Sequence, residues 1–169
     1  MKRATIFISL LFLLACNKGV WVTQNVYRPK HPKFSVLKEQ FSASPLINNQ
    51  FLYVSKRSYI SNAQERIMYD FTGFYSDGRV IGVSLNDLEL NKISQLNSWE
   101  TAPIIGYYTT KENTIEFEYF LPTDGGLYEK RQGIIKKDTI LMKKFSSVLY
   151  KRESRYDTLV KSNYSLQDN

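Results

Sequence analysis

The feature that most constrains this chain is a series of short apolar runs separated by turn residues across positions 51–152. Apolar and polar residues alternate in several of these runs, which is typical of strands that have one buried face. Asp77-Gly78 lies between two of the runs, and Asp-Gly in that position is the strongest short signal for a hairpin. The pattern therefore predicts consecutive hairpins and a mainly antiparallel all-β domain.

About eight strands are expected in sequence order, with turn signals between them. The predicted strands are residues 51–60, 67–75, 80–85, 104–110, 114–121, 127–136, 139–145 and 148–152. A meander of this kind forms an up-and-down barrel or a strongly curled sheet, and the alternative is a two-sheet β-sandwich.

One short helix is expected between the third and fourth strands. Leu90, Ile93 and Leu96 recur there at helical spacing, and Asn86 precedes them as a candidate N-cap. This pattern predicts a helix over about residues 87–98, which would cover a sheet or plug one end of a barrel.

The hairpin at Asp77-Gly78 also predicts a register, provided that its tip is a two-residue turn. Such a turn would place Gly73 opposite Gly82. Facing glycines weaken a strand pair, so they indicate a bulge, a sharp bend, or the close approach of another backbone or a ligand, and we favour a bend.

The run 114–121 alternates more cleanly than the others. Its apolar residues are expected to point inward, and they are Ile115, Phe117, Tyr119 and Leu121. Glu116 and Glu118 should point outward, and a tip at residues 124–125 would place Glu118 opposite Arg131. We interpret the two glutamates as a solvated stripe, although a carboxylate pair on one face is also the arrangement that glycoside hydrolysis needs.

Aromatic residues supply the candidates for ligand binding. The chain has twelve Tyr and ten Phe, and ordinary strand composition accounts for most of this load. If the barrel has an open interior, we expect Phe71, Tyr108, Phe117 and Tyr119 to line it. These four are the predicted ligand-binding residues.

No catalytic site is expected. Phosphate-binding loops, dinucleotide fingerprints, nucleophile elbows and zinc-protease motifs do not occur in the sequence. Asp70 lies in an apolar strand and would be a binding carboxylate if it faced inward, but the outward orientation is favoured. We therefore expect a non-enzymatic domain with no metal and no cofactor. The positive charges are dispersed, so no nucleic-acid partner is expected either.

The first sixteen residues form a separate signal. Lys2 and Arg3 precede an apolar run over residues 6–14, which is too short for a spanning helix and is typical of a secretory signal. The run ends in Leu13-Leu14-Ala15-Cys16, and Cys16 is the only cysteine. This tetrapeptide resembles the lipobox of bacterial lipoproteins.

The lipobox resemblance implies removal of residues 1–15 and a lipidated Cys16, with diacylglycerol on the sulfur and an acyl chain such as palmitate on the new amino group. Several acyl chains would anchor the protein to a membrane almost permanently. Asn17 follows the cysteine, and the enterobacterial sorting rule then favours the outer membrane, facing the periplasm, over the inner membrane.

The expected organisation behind the signal has three parts: a membrane-proximal spacer at residues 16–49, a single β domain at residues 50–152, and a C-terminal tail at residues 153–169. Two prolines and several basic residues at positions 28–33 predict an extended, solvated spacer. The tail has few apolar residues, although residues 156–160 would fit an edge strand.

The strand order and the glycine-marked bends across residues 51–152 resemble small lipocalin-like lipoproteins of bacterial envelopes. The resemblance implies a lipid-anchored barrel that binds an apolar ligand or an envelope protein partner. Two alternatives stay open: a structural accessory subunit of an envelope complex, and a hydrolase of envelope polymers that would use Asp70 or the Glu116/Glu118 pair.

Overall fold

The structure, a computed structural model, describes residues 19–23, 26–29, 32–36, 44–122, 126–143 and 156–167. Two short strands, β1 (Gly19–Thr23) and β2 (Val26–Pro29), form a separate antiparallel pair. The longer sheet contains β3 (Phe51–Ser61), β4 (Gln64–Phe74), β5 (Arg79–Asn86), β6 (Ile104–Lys111), β7 (Thr114–Leu121), β8 (Leu127–Lys136), β9 (Thr139–Lys143) and β10 (Tyr156–Ser165).

Strands β3 to β10 form a closed barrel in which every pair is antiparallel. The order around the ring is β10, β3, β4, β5, β6, β7, β8, β9, so strands that follow each other in sequence also lie side by side. This order confirms the predicted all-β, up-and-down barrel with one short helix. The sandwich alternative is wrong, because β10 pairs with both β9 and β3 and joins the two ends of the sheet.

The strand that closes the barrel is not the predicted eighth strand. Residues 148–152 lie outside the described residues, and the closing strand Tyr156–Ser165 lies within the predicted tail, residues 153–169. Its inward Leu159 is buried while Val160 beside it is 45% exposed, so its apolar pattern is weak. The alternative of a strand at residues 156–160 is confirmed and the tail is wrong for this segment, but the strand is longer and is not an edge strand, because its backbone pairs with two neighbours.

The predicted register of the β4–β5 hairpin is wrong by one residue. Gly82 lies opposite Thr72, and Gly73 lies opposite Ile81. The turn is longer than two residues, because Gly78 adopts a left-handed φ of 90° and its amide donates back to the carbonyl of Tyr75 at 3.2 Å. A glycine in this conformation adds a bulge residue to the turn, which shifts the pairing.

The β7–β8 hairpin is shifted in the same way. Glu118 lies opposite Lys130, and Arg131 lies opposite Phe117 on the inner face. Gly126 has a φ of 89° where the loop joins β8, as Gly78 does before β5. The predicted pairing of Glu118 with Arg131 is therefore wrong, and Arg131 points into the barrel.

The outer wall of β3 to β6 carries a second apolar core. Its buried residues on the strands include Leu52, Phe71, Ile81, Val83, Leu85 and Ile105. A 3₁₀ turn (Leu90–Lys92) leads into α1 (Ile93–Leu96), and Leu90, Ile93 and Leu96 pack against this core. The predicted helix face is thus confirmed, and the helix covers the wall instead of plugging an end.

A short segment before the barrel, residues 32–36, lies across the outside of β6 to β8, and we call it the strap. Phe34 fits edge-on between the rings of Tyr107 and Tyr128, with centroid distances of 5.2 and 5.4 Å. The Lys33 amide donates a hydrogen bond of 2.7 Å to the Tyr128 hydroxyl. This part of the predicted spacer is therefore attached to the barrel.

The strap is held by Glu118 on the outer face of β7. One carboxylate oxygen, Oε2, accepts from the Ser35 amide at 2.5 Å, the Ser35 hydroxyl at 3.0 Å and the Val36 amide at 3.1 Å. Glu118 is only 5% exposed as a result. The prediction that it faces outward is confirmed, but the predicted solvated stripe is wrong at this position.

Arg28 in β2 gives a second contact between the predicted spacer and the barrel domain. Its Nη2 donates to the carbonyl oxygens of Trp99 and Glu100 at 3.0 and 3.2 Å, and the residue is 8% exposed. Burial lowers the pKa of its guanidinium, and the negative charge of Glu100 partly opposes this effect. Arg28 is extended, as predicted, because it lies in β2, but the prediction that it is solvated is wrong.

Candidate functional site

The lumen of the barrel has two halves, and one of them is filled. This closed half lies at the end where the β4–β5, β6–β7 and β8–β9 turns meet. Its inward side chains are at most 4% exposed, and they are Tyr53, Phe74, Tyr108, Ile115, Phe117, Ile135 and Ile140. Phe74 lies at the centre, edge-on to the rings of Tyr53, Tyr108 and Phe117 at 5.6, 5.1 and 5.9 Å.

The two tyrosines of the closed half use their hydroxyls for structure. Tyr108 donates to the carbonyl of Tyr75 at 2.7 Å, and the Tyr53 oxygen accepts from the Asn48 amide at 3.0 Å. Burial raises the pKa of both Tyr53 and Tyr108, so their hydroxyls stay protonated at neutral pH. This half of the lumen is therefore a packed core.

The other half contains a cavity of about 340 Å³ beneath the opposite end, which we call the mouth. Four charged side chains from four different strands line it: Arg57, Asp70, Arg131 and Asp157. Each occupies an inward position: Asp70 lies opposite Ser55 and Ser84, Arg131 opposite Phe117 and Asp157 opposite Met142, while Arg57 follows Ser55 by two residues on β3. An eight-stranded barrel has room inside for side chains or for one small ligand.

One wall of the cavity carries a hydrogen-bonded network around Asp70. Its Oδ2 accepts from Arg57 Nε at 2.8 Å, and its Oδ1 accepts from the Ser84 hydroxyl at 2.5 Å. The Asp70 side chain is 31% exposed and that of Arg57 is 55% exposed, so both are reached by solvent through the mouth. The favoured outward orientation of Asp70 is wrong.

The opposite wall carries a second ion pair. Arg131 Nε donates to Glu129 Oε1 at 2.8 Å, and the guanidinium carbon lies 5.6 Å from the centre of the Tyr119 ring. Burial by itself would lower the pKa of Arg131, but the hydrogen bond and the negative charge of Glu129 outweigh it and raise that pKa. Arg131 therefore stays charged inside the lumen.

Tyr119 separates the cavity from the packed half. Its hydroxyl donates to Thr72 Oγ1 at 3.3 Å, and its ring is edge-on to Phe117 at 4.8 Å. Burial raises the pKa of Tyr119 to about 12, while the positive charge of Arg131 and the hydrogen bond to Thr72 act in the opposite direction. A neutral tyrosine thus forms the floor between the two charged walls.

Several apolar side chains also line the cavity. Ile104, Leu121, Met142 and Leu159 contribute to the cavity from β6, β7, β9 and β10. The cavity thus combines charged groups with an apolar surface, which is typical of sites that orient a small molecule and also bury part of it.

The four predicted ligand-binding residues do not occupy one place. Tyr108, Phe117 and Tyr119 lie together on the inner face, as expected, and only Tyr119 among them lines the cavity. Phe71 belongs to the outer-wall core, where its ring is edge-on to Tyr164 at 5.2 Å. Phe71 also borders the cavity, so two of the four predicted residues contribute to its lining, although the Phe71 ring packs on the outer wall. The lipidation candidate Cys16 lies outside the described residues.

The sequence reasoning missed the arginines and Asp157 as lumen residues. Arg57 and Arg131 are each two residues from another inward residue, Ser55 and Glu129, so period-two spacing was the available signal. For Arg131 the predicted pairing with Glu118, one residue away from the observed register, indicated the outer face, whereas the inward face of Arg57 follows from alternation along β3 alone. The Glu116/Glu118 pair lies on the outer face, away from the cavity.

The described ranges contain no group of three His, Cys, Asp or Glu residues arranged to hold a metal ion. They also contain no helix that is long and apolar enough to cross a membrane.

The fold and the cavity together define a closed eight-stranded antiparallel barrel with a half-filled lumen. Comparisons with protein-family models, with curated proteins and with solved structures give no match.

Proposed function

We propose that this protein is a non-enzymatic binding protein that holds a small polar ligand in the mouth half of its barrel. The observation that carries the proposal is the inward orientation of charged side chains from four strands around one cavity. Even a partly enclosed charge loses some of its hydration, and apolar side chains would occupy the same inward positions with less penalty. Charges in such places are therefore common where a protein binds something.

The same lining bears on the kind of ligand. A purely apolar molecule would cover Asp70 and Arg131 without replacing their contacts with water, and this desolvation opposes binding. A ligand with polar groups of its own supplies those contacts. We therefore replace the apolar ligand expected from the sequence with a polar one that has an apolar portion.

The proposal can be tested by nuclear magnetic resonance on the full chain with a panel of amino acids, sugars, nucleotides and phosphate esters. We expect shift changes confined to lumen residues for at least one class. Ser84→Trp should abolish them, because Ser84 projects into the mouth. Ser58→Trp, on the exposed outer face of β3, is the matched control and should leave them intact. An absence of lumen shifts with every class, at millimolar concentration, would contradict the proposal.

We also propose that Cys16 anchors the barrel to the cell envelope through lipid, with the outer membrane as the destination. The support is the tetrapeptide Leu13-Leu14-Ala15-Cys16 behind a basic start and a short apolar run. Cys16→Ser should abolish acylation and move the protein from the membrane fraction to the soluble one. Unchanged fractionation would refute the anchor.

A structural accessory subunit is the second candidate function, and exposed apolar residues near the mouth favour it. Ile60 is 81% exposed near the β3–β4 turn, and Leu88 is 72% exposed just after β5. Apolar residues at such exposure are typical of contact surfaces when they lie close together. Native mass spectrometry of detergent-extracted protein separates the two functions: a bound small molecule supports the first, and a stoichiometric protein supports the second.

A further inference from the structure

The hairpin of β1 and β2 has edges that no described strand covers. The hairpin is a sheet of its own, and among the described elements only β2 makes extensive contact with β1. Arg28 ties the hairpin to the barrel through the carbonyls of Trp99 and Glu100. A two-stranded hairpin is marginally stable by itself, and an uncovered edge is a template for a further strand.

The register of the hairpin shows which backbone groups point outward. Three consecutive pairs join the strands: Gly19 with Pro29, Val20 with Arg28, and Trp21 with Tyr27. Pro29 has no amide hydrogen, so its pair is not hydrogen-bonded, and antiparallel pairs alternate between the two kinds. The pair of Trp21 is therefore of the same kind as the pair of Pro29. The N–H and C=O groups of Gly19 and Trp21 thus point away from β2, toward the free edge of β1.

The edge of β1 is better suited to pairing than the edge of β2. Residues 19–23, Gly-Val-Trp-Val-Thr, carry no charge and no proline, and β-branched and aromatic residues favour strands. The edge of β2 lacks a donor at Pro29, and proline is one of the residues that protect a strand edge from pairing. Because the edge of β1 is uncharged and offers both donors and acceptors, it is complementary to a second copy of itself.

We propose that the free edge of β1 pairs with β1 of a second copy in a symmetric dimer. A two-fold axis at Val20 makes the two strands antiparallel, so Gly19 of each copy exchanges hydrogen bonds with Trp21 of the other. The two hairpins then form one continuous sheet in the order β2, β1, β1, β2, which stabilises both of them. This dimer depends neither on a ligand in the barrel nor on the lipid anchor.

The first test is disulfide cross-linking of the purified full chain in mild detergent, with Cys16→Ser removing the native thiol. In the proposed dimer Val20 lies opposite Val20 of the second copy at a Cα separation of about 4.5 Å, which a disulfide can span. Val20→Cys should therefore form a covalent dimer when copper phenanthroline is added as the oxidant.

Tyr27→Cys is the matched control for the cross-linking. Tyr27 is 40% exposed and lies beside Trp21 in the same hairpin. In the proposed dimer the two copies of Tyr27 are three strand spacings apart, about 14 Å, which is too far for a disulfide. Its cross-linking should be at least about tenfold slower than that of Val20→Cys.

The second test separates backbone pairing from a side-chain contact. Trp21→Pro removes the outward amide hydrogen without removing a hydrogen bond between β1 and β2, whereas Trp21→Ala keeps that amide. In sedimentation velocity at micromolar concentration, Cys16→Ser alone and with Trp21→Ala should give dimers, and Cys16→Ser with Trp21→Pro should give a monomer. Circular dichroism checks that each variant keeps the barrel.

Each of four results would overturn the proposal. The first is a monomer for the Cys16→Ser chain at these concentrations, and the second is equal cross-linking of Val20→Cys and Tyr27→Cys. The third is the same oligomeric state for Trp21→Pro and Trp21→Ala. The fourth is a Val20→Cys chain that, in cells, cross-links to a different protein and not to its own copy, because the edge of β1 would then bind a partner's strand.

Discussion

The contact between Glu118 and the strap gives a quantitative prediction. Three donors converge on one carboxylate oxygen, and a hydrogen bond to a charged acceptor contributes about 1.5–3 kcal/mol against about 1 kcal/mol for a neutral one. Glu118→Gln keeps the shape and an acceptor oxygen but removes the charge. Because three bonds weaken together and such losses are not additive, we expect the strap to lose about 2 kcal/mol of attachment.

The assay is native-state hydrogen exchange at the amides of Ser35 and Val36. A loss of about 2 kcal/mol corresponds to about 30-fold faster exchange through local opening. The global free energy of unfolding is a poorer readout. The Gln side chain of the variant is neutral and costs less to bury than the Glu118 carboxylate, and this gain partly offsets the loss of hydrogen-bond strength.

Glu116→Gln is the matched control for this experiment. Glu116 is on the same face of the same strand, two residues away, and no hydrogen bond joins it to the described strap. Its substitution should change the two exchange rates by less than about twofold, within the range of ordinary surface substitutions. Equal rates in the two variants would show that the Glu118 charge does not hold the strap.

Two further predictions concern the barrel itself. Gly106→Ala would push a methyl group into the backbone carbonyl of Glu118 on the next strand, and it should lower the free energy of unfolding by about 3 kcal/mol in chemical denaturation. Gly82→Ala is the comparison and should cost much less, because its new methyl meets only the Ile104 side chain at 3.2 Å. Equal costs in the two variants would contradict this explanation. The pKa of Tyr119 is about 12 in the folded state and about 10 in the unfolded chain, so the folded state holds the hydroxyl proton more tightly. The stability that comes from this difference is complete below about pH 10 and is lost as the pH rises through 12. Tyr119→Phe should therefore lose about 1.4 kcal/mol less than the wild type between pH 9 and 11, and an identical loss in both proteins would refute the assignment.

The sequence predicted the fold class well because strand alternation and turn residues are local signals. The inward residues of β7 follow from spacing alone, and the helix face follows from three apolar residues. The closing strand β10 was harder, since its polar residues are held by pairing with β3 and β9. These strands are distant in sequence, so no local pattern reports the contact.

The candidate site was harder to predict than the fold, and one physical detail explains much of the difference. Gly78 adds a bulge residue to the β4–β5 turn, and in both the β4–β5 and the β7–β8 hairpin a shift of one residue changes which side chains face each other. Arg131 therefore became a lumen residue only once the true pairing of β7 and β8 was known, whereas the inward face of Asp70 follows from alternation with Thr72 and Phe74 along β4. Glu118 was misread for another reason: a glutamate on an outer strand face looks solvated until a separate segment covers it.

The position of β10 in the ring has a consequence for how the chain folds. Its partner β3 begins about a hundred residues earlier, so the pairing that completes the structure is also among the most non-local, and such topologies fold slowly. Until residues 156–165 are in place, β3 and β9 each present an unpaired edge that can recruit a strand from another molecule. The time during which a folding chain can aggregate through these edges therefore ends when the last strand is in place, and a chain truncated before Tyr156 keeps both edges open.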